Sequence, residues 1–343
     1  MSTHGTHGTH DELRDLVAAA AFDAVTPAER QTVAGHLDAC AECAAEADRL
    51  RETVRLLDVP PGDGTGREPS GRRFRGEHPR PAAAPVAEHA APYAGAVAAL
   101  TALLPHAYGG EDADRWAVPV VHGWNVQATL AHLLAADEQL AVELGVEPRV
   151  PPSPVVADES WEAYWNRRTA DTIRHERAHA AALTHRAWQA QTAALLATPE
   201  AHDAEQAARP AELMGMRLPV ADHFAVRAFE TWIHTDDIGR ALGLYVPPPP
   251  APHLERLVRL AAGVLGQALG PGAPPVRFTV TGIGAWTLGA PAAPVRAELA
   301  LEAVDFCFLA GGRRAPDTVP HTATGDAAAV RDVLERTAAL AWL

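Results

Sequence analysis

The side chains best suited to metal chemistry lie on one predicted helix, at about residues 219–243, which Pro219 begins and Gly243 ends. Helical periodicity places five ionisable side chains along one face: His223, Arg227, Glu230, His234 and Asp237. The rest of this helix is largely apolar, so burying these groups would cost free energy unless something compensates them. Glu230 and His234, four residues apart, could bind one divalent metal together. The alternative is a solvated polar face.

A third ligand is available from His132, on a second predicted helix at residues 125–143 that Asn125 caps. A single histidine on an apolar helix face is more often a hydrogen-bonded core residue than a ligand. Opposite a Glu-x3-His pair, however, it completes the kind of site that helical bundles hold between their helices. Three nitrogen and oxygen ligands leave one position open for water, a thiol or a substrate. We therefore expect a divalent metal here, with zinc as the expected ion.

A second ligand set lies near the N-terminus, where His36, Cys40 and Cys43 fall within two helical turns. His10 can supply a fourth ligand, and the two other histidines of the same Thr-His-Gly repeat could replace it. Four nitrogen and sulfur ligands form a closed tetrahedral site, which is the structural form of a zinc site. A Cys-x-x-Cys redox pair and two unliganded buried thiols are the alternatives.

These ligand sets belong to different predicted segments of the 343-residue chain. A tract rich in Pro, Gly and charge separates them and has the composition of a solvated linker. After a polyproline stretch near residue 250, the pattern alternates with period two at about 276–281 and 295–301, which predicts strands. The predicted fold class is mainly α, with these segments: a three-helix zinc module at 1–58, a linker at 59–90, a four-helix bundle at 91–246 and a small α/β domain at 247–343.

Composition argues against a nucleic-acid-binding protein, a disulfide-rich protein and a membrane protein. The net charge of −14 argues against direct nucleic-acid binding, because such surfaces are normally basic, but it is compatible with a basic protein partner. Three cysteines are a poor count for a disulfide framework and favour a reducing compartment. Neither a signal peptide nor an apolar run of ~20 residues is evident. We expect a cytoplasmic protein that does not contact a membrane.

Residues 10–43 resemble the zinc-binding anti-sigma domain, whose ligand pattern is matched by His10 and by His36-x3-Cys40-x2-Cys43. The resemblance implies a structural zinc and a group-IV sigma factor as partner, which such domains keep away from polymerase. Members that sense oxidants often carry Cys where this chain has His10, so the resemblance does not imply release by oxidation.

Two stretches, Gly123–Leu133 and Arg227–Ile238, resemble the mycothiol-dependent maleylpyruvate isomerase family. That family combines a DinB-like helical bundle with a smaller α/β domain. The resemblance implies that His132, Glu230 and His234 bind the metal. It also implies that mycothiol is the thiol cofactor, which adds to the substrate double bond as a metal-bound thiolate.

Three further residues are candidates for catalysis or substrate binding: Arg227, Asp237 and Arg313. Arg313 follows a predicted helix, and the resemblance suggests that an arginine here contacts an anionic substrate. The alternative for Arg313 is an exposed basic turn. Cys307, between two phenylalanines, is predicted to be a buried apolar filler.

The two resemblances lead to different functions. We expect a zinc-binding anti-sigma factor whose metal-binding bundle senses a small-molecule thiol or acid. The alternative is a mycothiol-dependent isomerase or S-transferase that carries an accessory zinc module. A metal-binding scaffold without catalysis would follow if the open site of the bundle were vestigial.

Overall fold

The structure is a computed structural model, and the chain forms two compact units, residues 1–75 and 76–343. None of the helices in the described ranges combines the length and the apolar character that crossing a membrane requires. The structure describes residues 13, 16, 17, 20, 27–41, 43–45, 47, 48, 83–108, 115–154, 156, 157, 159–290 and 293–340.

The first unit contains helix α1, Pro27–Ala39. Val17, Val33 and Ala47 form its small buried cluster. The helices predicted on either side of α1 fall largely on residues outside the described ones, and so does His10. The three-helix zinc module therefore stays a prediction.

Helices dominate the second unit, and they confirm the predicted mainly α bundle. The helix that carries His132 begins where predicted. Asn125 caps it, since its side chain accepts a hydrogen bond from the amide of Ala128. Residues 161–196 of the predicted bundle form two helices, Trp161–Arg177 and Ala181–Leu196. In chain order the helices are α2 (Ala91–Leu103), α3 (Val126–Glu143), α4 (Trp161–Arg177), α5 (Ala181–Leu196), α6 (Pro199–His202), α7 (Ala204–Ala207) and α8 (Val220–Ala241), with 3-10 turns at Leu104–Tyr108 and Arg115–Ala117.

Two small hairpins interrupt the bundle and were not predicted. Strands β1 (Pro119–Val121) and β2 (Trp124–Asn125) pair just before α3, and strands β3 (Pro210–Leu213) and β4 (Met216–Pro219) pair just before α8. Strands of two to four residues are too short to show a clear alternating pattern. Each hairpin leads directly into a helix that carries metal-binding candidates, so it helps to set where that helix begins.

The C-terminal part confirms the predicted small α/β region. Its elements are α9 (Ala251–Leu269), β5 (Val276–Val280), β6 (Gly284–Leu288), β7 (Ala297–Leu301), α10 (Ala303–Ala310), β8 (Thr322–Gly325) and α11 (Ala327–Ala338). The sheet order is β6-β5-β7-β8, with β5 and β7 parallel and the other two pairs antiparallel. Val276, Phe278 and Val280 are buried on alternate positions of β5, as the period-two pattern predicts.

One hydrophobic cluster continues from the bundle into the sheet. It includes Phe224 of α8, Val258 of α9 and Phe278 of β5. Cys307 is fully buried in the same cluster, which confirms its predicted role as an apolar filler. The division of the chain at residue 246 stays a prediction, since the same core includes elements from both sides of it.

Candidate metal centre

Helices α3 and α8 bring His132, Glu230 and His234 together inside the bundle. All three side chains are buried, with 6%, 8% and 4% of their residue surfaces exposed. The Nε2 atom of His132 lies 2.8 Å from Glu230 Oε1, and the Nε2 atom of His234 lies 3.6 Å from the same oxygen. The polar face of α8 is thus turned inward at these positions, which excludes the solvated face considered from the sequence.

These three side chains fit a divalent metal. Their ligand atoms lie within 4.8 Å of one another. Two zinc ligands with bonds of about 2.05 Å at a tetrahedral angle are about 3.3 Å apart, close to the two observed distances to Glu230 Oε1. Two imidazoles and one carboxylate are a common ligand set for zinc sites that keep a position open. The identity of the metal stays a prediction.

The charge states of His132 and Glu230 suit metal binding, whereas at His234 a metal would have to displace a more strongly held proton. Burial lowers the pKa of His132 to about 4, so this imidazole is neutral at pH 7. Burial opposes the ionisation of Glu230, but hydrogen bonds from His132 and His234 outweigh it and lower the pKa of this carboxyl. For His234, burial is outweighed by Asp237 and Glu230, and the pKa is raised. A carboxylate and neutral imidazole are the forms that bind metals.

Asp237 contacts the Nδ1 atom of His234, and Arg313 pairs with Asp237. Asp237 Oδ2 lies 3.1 Å from His234 Nδ1, so this nitrogen donates to the carboxylate and Nε2 stays directed toward Glu230. Arg313, 76 residues further along the chain, donates to both oxygens of Asp237, with Nε 3.1 Å from each. The Arg313 side chain is only 10% exposed, so the exposed basic turn considered from the sequence is not what the structure has.

Aromatic rings enclose the centre. Trp124, on β2, packs against His132 with 4.7 Å between ring centroids and lies 6.4 Å from the ring of His234. Trp165, on α4, meets His132 edge-on at 5.8 Å. Neither tryptophan was predicted to belong to the site. The Gly-Trp pair ahead of Asn125 was a signal for Trp124, whereas nothing in the local pattern pointed to Trp165.

Arg227 lies one helical turn before Glu230, in the core. It is 2% exposed, and its Nη1 donates to the carbonyl of Ala136 over 2.7 Å. Nearby, the hydroxyl of Tyr93 donates to Asp137 Oδ2 over 2.6 Å, and burial raises the pKa of Asp137 to about 7. A catalytic or substrate-binding role for Arg227 stays a prediction.

In the first unit, His36, Cys40 and Cys43 form a second group of possible ligands. Their ligand atoms also lie within 4.8 Å of one another. Cys43 is buried and the other two are half-buried. The structure therefore brings together the three predicted zinc ligands that lie among the described residues.

Part of the bundle matches a known protein family model. Residues 107–239 match the family model for the "Mycothiol maleylpyruvate isomerase N-terminal domain". A search of curated proteins finds no match. Among solved structures, a mycothiol-dependent maleylpyruvate isomerase is similar, with 15% sequence identity, a TM-score of 0.47 and coverage of 70% of this chain and 93% of that one. A histidine-to-alanine mutant of such an isomerase gives 16% identity, with the same TM-score and coverage.

Proposed function

We propose that this protein is a metal-dependent enzyme that uses a small-molecule thiol, of the isomerase or S-transferase kind. The observation that carries the proposal is the buried convergence of His132, Glu230 and His234. All three lie inside the 107–239 segment that matches the maleylpyruvate isomerase family model. This match supports the thiol-dependent enzyme over the anti-sigma factor that was the first expectation from the sequence.

The ligand set fits the chemistry of a thiol. His132 and His234 would bind a divalent metal through Nε2, and Glu230 through Oε1. A bound divalent metal lowers the pKa of a thiol that it binds and so supplies a thiolate nucleophile at neutral pH. The expected thiol is mycothiol, which the matching family is named for.

The side chains around the ligands orient His234, pair its buried carboxylate partner and restrict the access of water. Asp237 holds a proton on His234 Nδ1, which keeps Nε2 directed toward the site. Arg313 neutralises Asp237, so this buried carboxylate is paired. Trp124 and Trp165 restrict water around the centre and offer flat apolar faces to an unsaturated substrate.

A turnover assay tests this proposal. Zinc-loaded protein should convert maleylpyruvate only when mycothiol is present, and His132→Ala should lower that rate by at least about a hundredfold, since the thiolate is no longer supplied. Asp236→Asn is the control variant. Asp236 is only two residues from His234 in the sequence, but its side chain pairs with the exposed Arg240. Mass spectrometry of the products separates isomerisation from transfer of the thiol. Turnover that needs no thiol, or that survives His132→Ala, would refute the proposal.

The ligand cluster of the first unit favours a second candidate function, sequestration of a group-IV sigma factor. His36, Cys40 and Cys43 lie close together and could supply three of the four ligands of a structural zinc site. Such small modules usually fold only with their metal, so sigma binding should depend on these ligands.

Binding of full-length protein to the group-IV sigma factors of the source organism tests this second function. Wild type should bind one of them, Cys43→Ser should not, and His132→Ala should bind normally. No binding to any of them would reject the second function and leave the first unaffected.

A further inference from the structure

His122 lies at the tip of the β1–β2 hairpin and has no role in the function proposed above. Val121 pairs with Trp124, so His122 and Gly123 form a two-residue loop. Both have positive φ angles, 54° and 73°. Two positive φ angles are typical of the type I′ turn that joins hairpin strands, and histidine tolerates the left-handed region better than most side chains.

The hairpin places the His122 ring next to the aromatic wall of the metal centre. The rings of His122 and Trp124 are 5.2 Å apart and meet edge to face. Trp124 in turn packs on His132, 4.7 Å away. Exposure decreases along this series: His122 is exposed, Trp124 is half-buried and His132 is buried. His122 therefore lies on the side of the centre that faces solvent.

The ring of His122 is accessible to a ligand, and the charged groups of the centre influence its pKa. The ring is exposed, and no hydrogen bond joins either of its nitrogens to another residue that the structure describes. Partial burial is the largest influence on its pKa and lowers it, followed by repulsion from Arg313 and His234, which attraction to Asp237 and Glu230 opposes. A neutral imidazole still carries one N–H group that can donate.

The charge balance of the centre favours an anionic ligand. Arg313 and Asp237 neutralise each other. Glu230 is then the one carboxylate of the ligand triad, so a bound divalent cation leaves the centre with net positive charge as long as no thiolate is bound. The flat face of Trp124 suits a planar molecule.

We propose that His122 is a substrate-binding residue, whose imidazole donates a hydrogen bond to a carboxylate of a small planar acid bound against Trp124. This inference rests on the proposed function, since it assumes that the acid binds at the metal centre. It assigns to the hairpin a role in selecting carboxylate-bearing substrates.

Two substitutions separate the side chain of His122 from its backbone. Gly and Asn both tolerate a positive φ, so His122→Gly and His122→Asn should keep the hairpin. Only Asn retains an N–H donor near the position of the imidazole. The Gly variant therefore removes the hydrogen bond, and the Asn variant is its matched control.

Maleate is the probe, titrated by calorimetry into zinc-loaded, full-length protein with equal zinc content in each variant. Loss of a hydrogen bond to a charged group should weaken maleate binding by about tenfold or more in His122→Gly, whereas His122→Asn should retain most of the affinity. Equal affinities in wild type and His122→Gly would overturn the inference, and so would a wild type that does not bind maleate.

Thiol-dependent turnover, measured on the same wild-type samples, distinguishes the two proposals. Maleate binding that is lost in His122→Gly, in a protein without thiol-dependent turnover, would support the His122 contact and reject the proposed activity. Thiol-dependent turnover together with unchanged maleate affinity in His122→Gly would support the proposed activity and reject the His122 contact.

Discussion

Replacing Asp237 by Asn should weaken metal binding although Asp237 is not itself a ligand. Its Oδ2 atom lies 3.1 Å from His234 Nδ1, and its side chain is 8% exposed, so little water can replace it. The substitution removes the charge that holds the His234 proton and leaves Arg313 without its counter-ion. Loss of such a partner typically lowers metal affinity by about 10–100-fold, which is about 1.4–2.7 kcal/mol at 1.36 kcal/mol per tenfold.

The assay is the zinc dissociation constant, measured by competition with a chromophoric chelator. A Cys40→Ser/Cys43→Ser background confines the measurement to the bundle. Asp236→Asn makes the same chemical change one residue away, where the partner is Arg240, a side chain that is 54% exposed. An Asp237→Asn variant that binds zinc as tightly as Asp236→Asn would refute the role assigned to Asp237.

Two further predictions concern stability. Burial raises the pKa of Asp137 from 3.8 to about 7, so between these pH values the folded state holds a proton on Asp137 that the unfolded state has lost. The free energy of unfolding of the wild type should therefore fall by up to about 4 kcal/mol as pH rises from about 4 to 7. Asp137→Asn should lack this loss in urea unfolding, and a difference between the two proteins that does not vary with pH would contradict the prediction. The ion pair of Arg168 and Glu138 is also buried, with 3% and 11% of the side chains exposed. Arg168→Met should therefore lower the free energy of unfolding by about 3–5 kcal/mol. Adding Glu138→Met should restore part of it, because the carbonyls of Val150 and Pro151 still lack the Arg168 donor, whereas equal stability of the single and double variants would argue against the pair.

Local sequence rules predicted that His132, Glu230 and His234 come together, because the spacing of Glu230 and His234 is a property of one helix. Glu230 and His234 are four apart, so any helix through them brings both to one side. Asn125 signalled the start of α3, and the packing of helices in a bundle then placed His132 opposite the pair. The strands with clear alternation, such as β5, were predicted for the same reason.

The surroundings of the ligands could not be predicted in this way. Arg313 meets Asp237 across 76 residues, and this contact depends on how α10 packs against α8. Trp165 faces His132 because of the way α4 lies against α3, which periodicity within α4 does not specify. The β1–β2 hairpin was too short for a strand pattern, although His122-Gly123 is a turn-forming pair.

Metal content of the full-length protein tests most directly whether the bundle binds a metal through His132, Glu230 and His234. In the Cys40→Ser/Cys43→Ser background, elemental analysis of protein purified without a histidine tag should find about one zinc or other divalent ion per chain, as one three-ligand site requires. Adding His132→Ala should reduce this to near zero while the far-ultraviolet circular dichroism keeps its helical signal. A metal content that stays near one equivalent in the His132→Ala variant would contradict the assignment of the centre.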